Sequence, residues 1–246
     1  MIIGSKILFF ENLPSTNTQA AILLKSNELT EGTVIFTNYQ LAGRGQMGNI
    51  WESEYGKNLL ISIVLSPSMI IPSDQFYISM TVSLGISDFL KRYIQVCRIK
   101  WPNDIYVNND KIAGLLIENS IMGNHIENTI AGIGLNINQD IFLSDAPNPV
   151  SLKLITGMTF ELNICLNQLV SDLDKRYKQL IAGKSDQIKE EYISQLFRLN
   201  ELHNYRDKNG IFSGRINSVN DYGWLQIERE NGRIREYSFK DVEFIL

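Results

Sequence analysis

The stretch from Thr37 to Ser53 holds the densest set of residues that could bind a charged ligand. Three of its glycines are closely spaced among polar residues: Gly43, Gly45 and Gly48. Glycine lets backbone amides approach an anion closely, and Arg44 adds a planar set of donors that suits phosphate or carboxylate. Trp51 offers a flat apolar face on which an adenine ring could stack. These residue types predict a loop that covers a nucleotide-like ligand. A glycine-rich surface loop without a ligand is the alternative.

The G-x-G-x-x-G spacing of this loop is weak evidence for a dinucleotide site. Such a site needs a strand before the glycines, a helix directly after them and an acidic residue about 20 positions later. Residues 32–37 predict the strand, but residues 49–57 are polar and contain Gly56, and residues 58–65 predict a buried strand instead of a helix. No protein-kinase motif follows. The sequence therefore excludes both classes.

A second dense group lies in the segment Cys97–Val107, which predicts two short strands joined at Trp101-Pro102. Proline restricts the residue before it, so Asn103 and Asp104 are expected in a defined turn. Turns favour Asn and Asp for reasons of their own, which is the structural alternative. A turn nevertheless does not require so many groups that can bind a ligand within five positions: Lys100, Trp101, Asn103 and Asp104.

A third group lies on a predicted hairpin whose strands are residues 111–118 and 126–138, joined across residues 122–125 and preceded by a turn at 109–110. Lys111 begins an apolar strand, so its ammonium should project from the rim of a sheet, although a lysine at a strand end is usually solvated. Gly114 in mid-strand indicates close approach by a ligand or by another backbone. The partner strand alternates glycine, apolar residues and Asn136, which predicts a face turned to a ligand.

Hydroxyl groups open the first predicted helix, which should run from Ser15 to about Lys25. Thr16 and Gln19 fit a capping box, in which the two side chains bond backbone amides of the first turn. The functional alternative is that Ser15 and Thr16 offer their hydroxyls to a polar ligand at a helix N-terminus. Both can hold, since one hydroxyl can cap while its neighbour binds.

The remaining segments predict a mixed α+β protein. A strand is expected at 6–10 and helices at 72–92, 163–180 and 185–197. From about residue 202 the pattern changes to period two, with strands expected at 211–218, 223–228 and 234–239. Short strands with tight turns at this spacing indicate a small barrel. We therefore expect one domain over residues 1–199 and a second over residues 200–246.

Composition limits the function classes. The chain has 246 residues, of which 44% are hydrophobic and 20% charged, and its net charge of −4 argues against a broad nucleic-acid surface. Cys97 and Cys165 have no metal or disulfide spacing, so we expect reduced, buried thiols. The N-terminal segment lacks the features of a signal peptide, and no apolar run approaches the ~20 residues of a membrane span. These features predict a cytoplasmic protein that binds neither DNA nor membranes.

Taken together, the motifs resemble those of the biotin–protein ligases, also called biotin–[acetyl-CoA-carboxylase] ligases. Four of them match in order, namely Gly43-Arg-Gly-x-x-Gly48 with Trp51, Lys100-Trp-Pro-Asn-Asp104, Lys111-x-Ala-Gly114 and Gly132-x-Gly-x-Asn136. Ser15, Thr16, Asn17 and Gln40 also fall where the family has them, and the resemblance covers nearly the whole chain. The second and third motifs are the specific ones. The resemblance implies a class II synthetase-like mixed sheet with flanking helices and an SH3-like C-terminal domain.

The resemblance implies a two-step reaction with ATP, biotin and Mg²⁺. The carboxylate of biotin attacks the α-phosphate of ATP to give biotinyl-5′-AMP, and a lysine of a carboxylase carrier domain then attacks that anhydride. The catalytic residues it implies are Lys111, Arg44 and Asp104. The biotin-binding residues it implies are Ser15, Thr16, Asn17, Gln40, Gly43, Arg44, Gly45, Gln46, Lys111 and Gly114. The ATP-binding residues are Trp51, Asn103, Lys111 and Asn136, while the metal ligands stay open.

Two departures from the family pattern matter. Many members carry arginine where this chain has Gln46, and the residues before Ser15 leave no room for the helix-turn-helix of the bifunctional members. We therefore expect a monofunctional enzyme and no DNA partner. A lipoate–protein ligase and a non-catalytic biotin or nucleotide sensor are the alternatives, and the oligomeric state stays open, with a homodimer among the choices.

Overall fold

The computed structural model describes residues 1–144 and 148–245, apart from the side chain of Met47. Seven strands form the larger sheet: β1 (Lys6–Leu13), β2 (Thr33–Gln40), β3 (Leu59–Leu65), β4 (Arg98–Lys100), β5 (Asp104–Val107), β6 (Asp110–Met122) and β7 (His125–Leu135). Their spatial order is β1-β2-β3-β7-β6-β5-β4. β1 and β2 are parallel, and the other neighbours are antiparallel. The long pair β6 and β7 thus lies next to β3 at the centre of the sheet.

The helices cover both faces of this sheet. They are α1 (Thr16–Lys25), α2 (Phe76–Leu90), α3 (Leu152–Thr156), α4 (Leu162–Ile181) and α5 (Ser185–Ser194). α1 packs against β2, β3 and β7, while α2 packs against α4, α5 and the opposite side of the sheet. β3 is apolar except for Ser62 and is buried at every position, as expected for a strand covered on both faces. Gly85 in α2 lets α4 approach closely, since a Cβ there would lie 2.7 Å from Leu173 Cδ2.

A smaller sheet follows: β8 (Leu202–Asp207), β9 (Gly210–Val219), β10 (Leu225–Arg229), β11 (Ile234–Tyr237) and β12 (Glu243–Phe244), in the order β11-β10-β9-β8-β12. It packs directly on the rest of the molecule. Trp101 Nε1 donates to the carbonyl of Gly223 at 2.8 Å, and the Trp101 and Phe239 rings lie 5.4 Å apart. The α+β class is confirmed. The division into 1–199 and 200–246 stays a prediction.

The bounds of several helices and turns differ from those predicted from the sequence. The predicted helix at 72–92 is a short 3-10 turn, Pro72–Asp74, followed by α2. The hairpin turn is one residue earlier than predicted, because Val107 pairs with Asp110 and Asn108 has a φ of 55°. α3, β8 and β12 were not predicted; α3 and β12 are too short to show a period, and the polar residues of β8 conceal one.

Both cysteines are buried and unpaired, as predicted. In the part of the chain that the structure describes, every helix is too short or too polar to cross a bilayer.

Candidate functional site

A cavity of about 750 Å³ opens where the two sheets meet, and it collects residues from almost every predicted motif. Its lining includes Ser15, Thr16, Asn17, Gln40, Arg44, Gly45, Gln46, Trp51, Lys100, Asn103, Asp104, Lys111 and Gly114. Residues far apart in sequence meet here because β6 and β7 lie beside β3, and because α1 starts above the same face. The cavity is large enough for a small cofactor and a nucleotide together.

Glycines form the floor of the cavity, and Trp51 lies on them. A Cβ at Gly134 would lie 2.3 Å from Trp51 Cε2, and one at Gly114 would lie 2.9 Å from Trp51 Cζ3. Real Cβ atoms do not approach other atoms so closely, so only glycine allows the indole to lie on β6 and β7 at these positions. Close approach at Gly114 is found as predicted, but the approaching group is the side chain of Trp51 and not the expected ligand or backbone.

The glycine loop folds back on itself instead of opening a helix. Trp51 N donates to the carbonyl of Gly43 at 2.9 Å, and Gly45 N donates to that of Asn49 at 2.7 Å. Gly43 is needed for close approach, because a Cβ there would meet the carbonyl oxygen of Trp51 at 2.6 Å. The exclusion of a dinucleotide fingerprint is thereby confirmed. Gly43 supports the loop from outside the cavity lining.

Lys111 and Asp104 form an ion pair inside the cavity, with Nζ 2.7 Å from Oδ1. The two side chains are only 25% and 19% exposed, so the pair is shielded from bulk water. The ammonium also lies 5.5 Å from the centre of the Trp51 ring. Backbone bonds on both sides hold Lys111, since its N–H donates to Asn148 and its carbonyl accepts from Val150. The predicted position near a strand start is confirmed.

Arg44 extends over the rim and donates from Nη2 to Glu118 Oε2 at 3.1 Å. Both side chains are more than a third exposed, so this pair contributes at most ~1 kcal/mol and leaves Arg44 available for a ligand. Glu118 was not predicted as part of the site.

Lys100 is a second lysine of the cavity. Its Nζ donates to the hydroxyl of Tyr106 at 3.0 Å and lies 5.4 Å from the ring centre of Phe244 in β12. Burial lowers the pKa of Lys100, and the neighbouring carboxylate of Asp104 offsets part of that effect. The Lys-Trp-Pro-Asn-Asp motif thus supplies a cation that also contacts the second sheet.

The rest of that motif fixes the turn between β4 and β5. The Trp101-Pro102 bond is cis, and Asn103 Nδ2 donates to the carbonyl of Leu115 at 2.7 Å. The indole of Trp101 faces the second sheet through its bond to Gly223. Asn103 and Asp104 thereby stay at the cavity wall, and Trp101 connects that wall to the C-terminal strands.

At the opposite end, the start of α1 carries a group of buried polar side chains. Thr16 N donates to Gln40 Oε1 at 2.8 Å, and the Thr16 and Ser62 hydroxyl oxygens are 2.7 Å apart. Asn17 Nδ2 donates to Glu118 Oε2 at 2.6 Å. The predicted capping box is wrong, because Ser15 is the N-cap and neither its side chain nor that of Thr16 bonds the first turn. The Thr16 hydroxyl instead contacts Ser62 and Gln40.

The structure differs from the sequence analysis at two further places. Asn136 is buried and lies outside the cavity lining, where its Nδ2 donates to the carbonyl of Val150 at 3.1 Å. Conversely, the second sheet adds lining residues that the sequence did not single out: Arg206, Phe239, Lys240, Val242, Glu243, Phe244 and Ile245. Only Phe239 lies in a strand that the period-two pattern predicts, and the pattern gives no signal that this part of the chain faces a distant cavity.

The sequence model of the biotin/lipoate A/B protein ligase family matches residues 9–136, just over half of the chain. The chain belongs to this family.

Relatives extend the match over almost the whole length. The bifunctional ligase/repressor BirA of Bacillus subtilis is 29% identical over 98% of this chain and 75% of its own. The biotin–[acetyl-CoA-carboxylase] ligase of Paracoccus denitrificans is 28% identical over 89% of this chain and 92% of its own. The biotin protein ligase of Aquifex aeolicus, solved in complex with biotin and ATP, superposes on this family member with a TM-score of 0.81 at 23% identity. That superposition covers 98% of this chain and 99% of the Aquifex chain, so the two share one fold.

Proposed function

We propose that the protein is an ATP-dependent biotin–protein ligase, which forms biotinyl-5′-AMP and transfers biotin to a lysine of a carboxylase carrier domain. The observation that supports this proposal is that one cavity contains the side chains for both substrates. A group of buried hydrogen-bonding side chains lies at one end with Arg44 beside it, and Lys111 and an indole on a glycine floor lie further along. The Aquifex aeolicus and Paracoccus denitrificans relatives bear names with this activity.

In this proposal biotin lies with its ureido ring at the start of α1. The groups that bind it are Ser15, Thr16, Asn17 and Gln40 around the ring, with Arg44, Gly45, Gln46, Lys111 and Gly114 along the chain and carboxylate. Gly43 contributes through the shape of the loop that carries Arg44. Buried hydroxyls and amides suit a neutral polar ring, because each can be paired without burying a charge. The carboxylate then points toward Lys111, which is where the cavity carries positive charge.

ATP occupies the end nearer the second sheet. Trp51 stacks on adenine, and Asn103 and Asp104 contact the nucleotide from the turn. Asn136 acts from outside the cavity lining, through its hydrogen bond to the carbonyl of Val150. Mg²⁺, when bound, would offset the negative charge of the phosphates. One carboxylate with substrate oxygens and water is a usual magnesium arrangement, and Asp104 beside Asn103 fits it. Among the described residues, no cluster of three or more metal-ligating side chains offers another site.

The first step joins a carboxylate oxygen of biotin to the α-phosphorus while the bond to pyrophosphate breaks. In the second step the amine of the carrier lysine attacks the acyl carbon, AMP leaves, and the amine loses a proton. Neither step needs a nucleophile from the protein. Lys111 and Arg44 bring two anions together and reduce their repulsion, and later stabilise the departing AMP, so catalysis is positioning and charge stabilisation.

Biotin-dependent exchange of pyrophosphate into ATP tests the first step, and transfer of labelled biotin to a carboxylase carrier domain tests the second. We expect both activities, and we expect lipoate to replace biotin in neither. Exchange without transfer would contradict the carrier assignment. Binding of biotin without exchange would identify the protein as a sensor.

A further inference from the structure

Two side chains behind the cavity, Ser62 and Glu118, belong to a hydrogen-bond chain that reaches its wall. Neither lines the cavity, and Ser62 is fully buried in the otherwise apolar strand β3. A hydroxyl in such a strand lowers the stability of the core unless it is hydrogen-bonded. Its partners are Thr16 and Asn17, which do line the cavity.

The amide of Asn17 has only one orientation that its neighbours allow. Its Nδ2 lies 3.2 Å from the carbonyl oxygen of Leu116 and 2.6 Å from Glu118 Oε2. A carbonyl can only accept, so the NH₂ group must face Leu116 and Glu118. Asn17 Oδ1 therefore faces Ser62, at 2.6 Å, and must accept from it. Oδ1 also lies against Gly132, where a Cβ would be 2.3 Å away.

The number of hydroxyl hydrogens then determines whether the Thr16 side chain donates or accepts. Ser62 has one hydroxyl hydrogen, and Asn17 Oδ1 requires it. The Ser62 and Thr16 oxygens are 2.7 Å apart, so the hydrogen between them must come from Thr16. Gln40 Oε1 also lies 3.2 Å from the Thr16 hydroxyl oxygen, but it already accepts from the Thr16 backbone N–H at 2.8 Å, and a Thr16 hydrogen directed at it would equally be used up. Thr16 thus has no hydrogen left for the cavity, and its side chain can only accept there.

We infer that Ser62 and Glu118 are positioning residues that set the polarity of the ring subsite, so that Thr16 accepts a hydrogen bond from an N–H group of the ligand. This inference rests on the proposed function and deepens it. A ureido ring carries two N–H donors, whereas a dithiolane ring such as that of lipoate carries none. The chain from Glu118 through Asn17 and Ser62 to Thr16 therefore selects biotin within a family whose description names both acids.

Glu118 also accepts from Arg44 at the same oxygen, so its substitution could disturb the loop as well as the ring subsite. Ser62 has no contact with Arg44 and gives the cleaner test. Ser62→Ala removes the hydrogen that Asn17 requires, and Ser62→Thr keeps a hydroxyl on a strand that tolerates β-branched residues. Glu118→Gln removes the charge and adds a competing NH₂ group.

The experiment measures KM for biotin and for ATP by pyrophosphate exchange, with thermal unfolding on the same samples. For Ser62→Ala and Glu118→Gln we expect KM for biotin to rise about tenfold, the scale of one lost hydrogen bond at a buried polar group, with KM for ATP within about twofold. Ser62→Thr should restore most of the affinity. Desthiobiotin, which keeps the ureido ring and lacks the sulfur, should show the same ratio between variant and wild type.

Two matched controls lie outside the cavity. Ser87→Ala removes another fully buried hydroxyl, one that bonds Gln195 at 2.6 Å, and Glu31→Gln neutralises a carboxylate that accepts from Tyr177. Both should change unfolding temperature without changing KM for biotin. The inference is overturned if Ser62→Ala changes only the unfolding temperature, or if KM for biotin and ATP rise together. An inactive wild-type protein would instead count against the proposed function.

Discussion

Replacing Lys111 by alanine should slow biotin adenylation by about 10²-fold, the loss that follows removal of one well-placed group from a developing charge. The structure supports this magnitude. A quarter-exposed ammonium experiences an effective dielectric constant near 20, where a unit charge ~4 Å away interacts by about 4 kcal/mol. Asp104 competes for the same ammonium at 2.7 Å, so only part of that energy is available to the phosphate. About 3 kcal/mol corresponds to a factor of ~10² in rate.

The fold should survive this change. Both backbone bonds of Lys111 to the segment 148–150 remain, and the cost is the shielded Asp104 left unpaired, about 1–3 kcal/mol of unfolding free energy. Lys153→Ala is the matched control, because Lys153 also pairs with an aspartate, Asp140 at 2.6 Å, and is similarly exposed but lies outside the cavity. Single-turnover formation of labelled biotinyl-adenylate is the assay. Equal rates for the Lys111 and Lys153 variants would refute the electrostatic argument.

Three further changes test other parts of the site. Gln46→Arg should lengthen the lifetime of bound biotinyl-adenylate and Arg44→Gly should shorten it, because a cation against the phosphate slows escape of the adenylate. A chase with unlabelled biotin and ATP measures both dissociation rates. An unchanged rate for Gln46→Arg would show that position 46 has no role in retaining the adenylate. Gly134→Ala should displace the Trp51 indole, shift tryptophan emission to the red and raise KM for ATP about tenfold, and unchanged emission would contradict the contact. Burial lowers the pKa of Lys100, so the unfolded chain binds more protons between the folded pKa and the ordinary value of 10.5. Stability should therefore rise with pH across that window in the wild type but not in Lys100→Met, as urea unfolding from pH 7 to 10 will show; parallel curves would refute it.

The sequence by itself determined the elements and most of the chemistry. The stretch around Ile61, apolar except for Ser62, predicted a buried strand, and the β6–β7 hairpin followed from two long apolar runs around a Gly-Asn turn. Arg44 and Trp51 were recognisable because they accompany closely spaced glycines, and Lys111 because it is a cation at the start of an apolar strand. Local patterns carry this information because propensity and periodicity act within a few residues.

Only the tertiary structure decided which polar groups face one another. Ser62 looks like a minor interruption of a strand, and Glu118 like the last residue of one, until β3, β6 and α1 are brought together. Thr16 fitted a capping box in sequence, yet its hydroxyl bonds Ser62, because a neighbouring strand lies closer than the amides it was expected to cap. The contribution of Phe244 and Lys240 to the cavity depends on how the second sheet packs on Trp101. Contacts between residues a hundred positions apart leave no periodic trace, and these contacts determine how the site binds.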